Sequence, residues 1–115
     1  MKLKIETELH ENIIELKFYG EVFTEEEFLP LFENVKSQLS NGIKHFIFNL
    51  EGMTYMNSLG LNALIKAFTN IRNEGGDMVI VNISKKINQV LILTKLNSVL
   101  NIATSLENAI EHLKK

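Results

Sequence analysis

Polar and apolar residues first alternate, then cluster, then recur at helical spacing. Leu3 and Ile5 alternate with lysines, the pattern of a strand with one wet face. Glu11-Asn12 reads as a turn, and Ile14, Leu16 and Phe18 then alternate with Glu15 and Lys17. This predicts the second strand of a hairpin, which Gly20 ends. Thr24 and Glu27 form a capping-box pair ahead of Phe28, Leu31, Phe32, Val35 and Leu39, which share one helical face. Pro30 cannot donate to the preceding turn, so it predicts either a kink or a later true start of that helix. Asn41-Gly42 tolerates positive φ and stops it.

His45 to Leu50 contains a nearly unbroken apolar run, the mark of a strand buried on both faces. A helix is expected from about Ser58 to Asn73, with Leu61, Leu64, Ile65, Phe68 and Ile71 on one face and Gly75-Gly76 as its breaker. Met78 to Val81 is a second buried strand. Ser84 caps a helix carrying Ile87, Val90, Leu91 and Leu93. Val99, Leu100 and Ile102 read as a short last strand. Thr104 and Glu107 offer a second capping box, for a final helix with Leu106, Ala109, Ile110 and Leu113. The order β-β-α-β-α-β-α-β-α predicts an α/β fold. It starts with a β-hairpin and continues in β/α units, giving a mixed, mostly parallel sheet of about five strands with four helices.

Composition narrows the function. The 115 residues fit one domain, 1–115, long enough to bury roughly two-thirds of the unfolded surface. A net charge of -2 argues against direct nucleic-acid binding, which needs a basic face. Without cysteine there is no disulfide framework and no thiolate zinc site. No run approaches a membrane span, and Met1 to Glu6 has no apolar core of a signal peptide, so a cytoplasmic location is expected. His10, His45 and His112 show no second ligand at metal spacing, and no phosphate loop or nucleophile arrangement is present. The acidic run Glu25-Glu26-Glu27 complements a helix start. The expectation is therefore no enzyme, no cofactor and no metal.

The remaining chemistry sits between the first buried strand and its helix. Ser58 follows the loop Glu51 to Asn57, at the carboxyl end of a strand, where function collects in such sheets. Its hydroxyl is either an N-cap or a group displayed for modification. Gly60 in the first helical turn costs roughly 1 kcal/mol relative to alanine, which points to a close approach there. Met53, Tyr55, Met56 and Leu59 surround the same mouth, and either point inward or form an adhesive patch for a protein.

The segment Tyr55-Met56-Asn57-Ser58-Leu59-Gly60-Leu61 resembles the Asp-Ser-x-Gly-Leu motif of the bacterial anti-sigma-factor antagonists, the STAS domain family. Tyr19-Gly20-Glu21 resembles that family's Gly-Glu turn. Gly75-Gly76-Asp77 with the strand after it, and Val90 to Leu96 with its Thr-Lys-Leu ending, extend the similarity along the chain. The resemblance implies helices mainly on one side of the sheet and Ser58 at the phosphorylated position. It implies an antagonist that sequesters an anti-sigma factor with serine-kinase activity while unphosphorylated, and a protein phosphatase that restores that form. Met53, Tyr55, Met56, Asn57, Ser58, Leu59 and Gly60 become the partner-binding segment. Asn57 stands where the family has aspartate and Leu59 where a small residue is common; an amide keeps the hydrogen-bonding capacity but brings no charge, which leaves open whether a kinase still uses Ser58 at full rate. The alternative is a STAS subunit of a lipid-transport complex or signalling scaffold that is never phosphorylated.

Overall fold

A computed structural model of the chain describes residues 3–22, 24–53 and 56–114. The two-residue turn at Glu11-Asn12 joins β1 (Lys4–His10) to β2 (Ile13–Tyr19) in an antiparallel hairpin. A 3-10 turn (Glu25–Phe28) leads into α1 (Leu29–Ser40), followed by β3 (His45–Gly52), α2 (Ser58–Asn73), β4 (Asp77–Val81) and α3 (Lys85–Leu93). A second 3-10 turn (Leu96–Ser98) precedes α4 (Leu106–Lys114). The strands lie in the order β1-β2-β3-β4, and β2, β3 and β4 run parallel.

Alternation along the strands builds two cores. Ile14, Leu16, Phe18, Phe46, Phe48, Leu50, Met78 and Ile80 face α1, α2 and α3, which contribute Leu31, Val35, Leu61, Leu64, Ala67, Ile71, Ile87 and Leu91. The Phe18 and Phe48 rings meet at 5.2 Å in the middle of that layer. On the other face Ile13, Ile47, Val79 and Val81 lie under Ala109 and Leu113 of α4. Three helices on one face and one on the other match the expected bias, and the continuous apolar runs of β3 and β4 follow from burial on both sides.

Three local expectations change. Among the described residues the sheet has four strands, not about five. Val99 to Ile102 contributes one isolated parallel bridge, Ile80 to Ile102, made by Ile80 N–H to Asn101 C=O (2.8 Å) and Ala103 N–H to Ile80 C=O (2.9 Å). The chain before it is wound into the 3-10 turn, which leaves only the residues about Ile102 to run beside β4, and the Asn101 side chain also donates to Asp77 Oδ1 (3.2 Å). Pro30 produces a late start rather than a kink: α1 begins at Leu29, with Pro30 in its first turn, where a missing N–H is harmless. At α4 the cap moves from Thr104 to Ser105, whose Oγ accepts from Asn108 N–H at 3.1 Å.

Close packing explains Gly76. A Cβ there would collide with the Lys44 carbonyl oxygen, beside which Asp77 N–H bonds the same carbonyl at 2.9 Å. The chain can therefore enter β4 alongside β3 only with glycine at this point.

Candidate functional site at the mouth of helix α2

The cap of α2 is Asn57, not Ser58. Asn57 has extended backbone (φ -89, ψ -171), and its Oδ1 accepts from Leu59 N–H (3.1 Å) and Gly60 N–H (3.2 Å). Its own carbonyl accepts from Leu61 N–H at 3.2 Å. Asparagine caps as well as serine does, so the helix begins one residue earlier than a serine cap allows. Ser58 is thereby the first helical residue, exposed, with its hydroxyl outside the capping hydrogen bonds.

The residues around it divide into support and surface. Met53 and Met56 are buried, at 1% and 3% exposure, so they point inward and form no adhesive patch. Gly60 is buried too, and the reason for its glycine is visible. A Cβ there would stand 2.8 Å from Met56 Cβ and 3.2 Å from Met56 Sδ. Met56 thus packs on the bare helix backbone and sets the direction in which the loop enters α2. Leu59 is half-buried against the main core. Tyr55 lies outside the described residues. Of the segment expected to meet a partner, Asn57, Ser58 and Leu59 reach the surface.

A polar network anchors the strand ends beneath this mouth. Asn49, on β3, accepts at Oδ1 from Glu51 N–H and from Asn82 Nδ2, both at 3.0 Å. Its Nδ2 donates to Glu15 Oε2 at 2.8 Å, and Glu15 Oε1 lies 2.8 Å from His10 Nε2. Asn82 sits in the left-handed region (φ 57) at the turn from β4 to α3. The two strand ends that feed α2 and α3 are therefore tied together through side chains of β2 and β3.

Glu15 is the residue that alternation misplaces. Its alternation with Ile14 and Leu16 is the pattern of a solvent-facing residue, yet it is 1% exposed, because that face of β2 is the one α4 helps to cover. Its neighbours also overturn the reading of His10 as lacking ligand-spaced companions. Register places Glu15 opposite Glu8, and donor atoms of Glu8, His10 and Glu15 gather within 4.8 Å of one another. The signal was present: a two-residue turn at Glu11-Asn12 fixes the pairs His10 with Ile13 and Glu8 with Glu15. The group already holds a cation of its own, since Lys17 Nζ donates to Glu8 Oε1 at 2.8 Å. That hydrogen bond, ahead of the charge itself, holds the Glu8 carboxyl below the ordinary glutamate range, and raises the Lys17 ammonium in return. His45 opens β3, and His112 in α4 stands 3.8 Å from Asp77.

Known proteins place this geometry. The anti-sigma F factor antagonist of Paenibacillus polymyxa is 23% identical over 119 residues, covering 99% of this chain and 97% of the relative. The anti-sigma-B factor antagonist of Staphylococcus aureus is 27% identical over 105 residues, covering 89% and 94%. The crystal structure of an anti-sigma factor antagonist from Mycobacterium paratuberculosis superposes with a TM-score of 0.82 at 16% identity, over 99% of this chain and 96% of that one. The Bacillus cell fate determinant SpoIIAA in its phosphorylated form superposes at 0.70 with 18% identity, over 95% and 98%. The STAS domain family model matches residues 4–109. With that span matched and the fold shared, the chain belongs to the STAS domain family.

Proposed function

We propose that this protein is an anti-sigma-factor antagonist, a binding module that sequesters an anti-sigma factor with serine-kinase activity and releases it when Ser58 is phosphorylated. The observation that carries this reading is the division of labour at the helix mouth: Asn57 does the capping and Ser58 keeps its hydroxyl exposed. Family membership and the names of the relatives support it.

Electrostatics explains how the switch works. A phosphate on Ser58 brings about -1.5 to -2 charges. It arrives at a helix N-terminus, whose dipole favours an anion, and beside a cap that is neutral in this chain. The fold accepts the modification. The partner does not, because an unpaired charge buried in an interface costs roughly 2–5 kcal/mol. At 1.4 kcal/mol per tenfold, affinity falls by about thirty-fold to several-thousand-fold. A protein phosphatase restores the binding form.

The test is incubation with ATP and a candidate anti-sigma factor of the serine-kinase type, beside a control antagonist, read by mass spectrometry and by calorimetric affinity. Phosphate on Ser58 with loss of affinity is the expected result. An unmodified Ser58, under conditions that modify the control antagonist, sinks the reading in favour of a STAS subunit that is never phosphorylated; phosphoserine that binds as tightly as serine sinks the switch itself.

A further inference from the structure

A second surface lies on α3, and it differs in charge from the rest of the molecule. Between Asp77 and Glu107 the chain carries no acidic residue, although its net charge is -2. That stretch holds Lys85, Lys86 and Lys95, all exposed. Elsewhere Lys4, Lys17, Arg72 and Lys114 each face a carboxylate, while Lys36 and Lys44 stand singly and far along the chain from that stretch. Among the described residues, Lys85, Lys86 and Lys95 have none within ion-pair distance.

The same stretch carries exposed aliphatic side chains. Leu93 is 82% exposed, Ile92 52% and Val99 47%. Lys85 and Ile92, and Lys86 and Leu93, are seven residues apart, so each pair lies on one side of α3 with exposed Gln89 between. The opposite side, Ile87 and Leu91, is committed to the core. Lys95 closes the helix in the left-handed conformation (φ 63), where glycine is the usual occupant. A lysine is thus kept beside the apolar end at a conformational cost.

We propose that this face of α3 and the turn after it is a docking surface for an acidic amphipathic helix of a partner protein, separate from the Ser58 mouth. The occupant follows from complementarity. A cationic end and an aliphatic end lie two helical turns apart, about 10 Å, the spacing at which a facing helix presents residues seven apart. Acidic residues on the partner meet Lys85, Lys86 and Lys95, and its aliphatic residues cover Ile92, Leu93 and Val99. An anionic membrane fits less well. It is a flat surface that meets the whole acidic molecule, and α3 is only nine residues long with its other side already buried.

The test is an amide-resolved NMR titration of the whole chain. One probe is a synthetic helix with leucines on one face and glutamates on both flanks; the others are a scrambled peptide of the same composition and phosphatidylglycerol vesicles. The expected result is saturable shifts confined to residues 85–99 with the patterned helix only. Affinity should fall about tenfold as salt shortens the screening length. Leu93→Asp and the double change Lys85→Glu with Lys86→Glu should each weaken binding by at least about tenfold with the thermal midpoint unchanged, since all three side chains are exposed. No saturable shift, equal shifts with the scrambled peptide, or binding to vesicles alone overturns the proposal. So do concentration-dependent shifts at these residues without any probe, which would assign the face to a second copy of the chain. Because Ser58 is untouched throughout, none of these outcomes bears on the phosphorylation reading.

Discussion

Removing the cap of α2 separates two residues that the sequence presents as one signal. Asn57→Ala deletes the acceptor for Leu59 N–H and Gly60 N–H, which now lie at 3.1 and 3.2 Å from it. Losing such a cap costs about 1 kcal/mol, within a range of about 0.5–2. For 115 residues the unfolding entropy at the midpoint is about 0.24 kcal/mol/K, so the expected drop in Tm is about 4 °C. Asn57→Asp keeps the acceptor and adds a charge that the helix dipole favours by about 0.3–1 kcal/mol, so it should hold or raise Tm. Ser58→Ala removes an exposed hydroxyl outside the cap and should change stability by no more than about 0.5 kcal/mol. Urea and thermal unfolding of the three variants give the comparison directly. If Ser58→Ala is as destabilising as Asn57→Ala, the serine hydroxyl is part of the cap, and the argument that it is available for modification fails.

Two further substitutions test the scaffold under the mouth. Glu15→Ala leaves the Asn49 amide and the His10 ring facing an empty acceptor site, and urea unfolding should show a loss of about 1–3 kcal/mol; a neutral effect would mean the network is not buried as described. Gly76→Ala drives a methyl group into the Lys44 carbonyl and should cost about 1–3 kcal/mol by the same measurement, whereas an unchanged midpoint would place the strands further apart than they are here.

Periodicity carried most of the fold. The bounds of α2 agree at both ends, because the cap pair Asn57-Ser58 and the breaker Gly75-Gly76 bracket a strong apolar face. The buried strands β3 and β4 were readable for the same reason. Where several weak signals compete, the reading slipped. Val99 and Ile102 have strand character, but Asn101 between them answers to Asp77, and a single bridge results. Caps were located to within a residue, not to the residue, because Asn57 beside Ser58, and Ser105 beside Thr104, are chemically equivalent candidates. Glu15 was missed because alternation assigns a charged residue to solvent, and only the register with β1 and β3 supplies the partners that let it be buried. The inward course of Met56 depended on the bare backbone at Gly60, and the glycine was visible while its neighbour was not.

The position of α4 has a consequence for synthesis. Among the described residues it is the one helix that covers Ile13, Ile47, Val79 and Val81, and it follows the four strands in the chain. Until residues 106–114 have emerged, a nascent molecule can pair its strands and pack three helices on one side, yet its other side stays bare. That interval is when such a chain is most prone to stick to its neighbours or to a chaperone. The second core can therefore close only after every strand that it covers has been made.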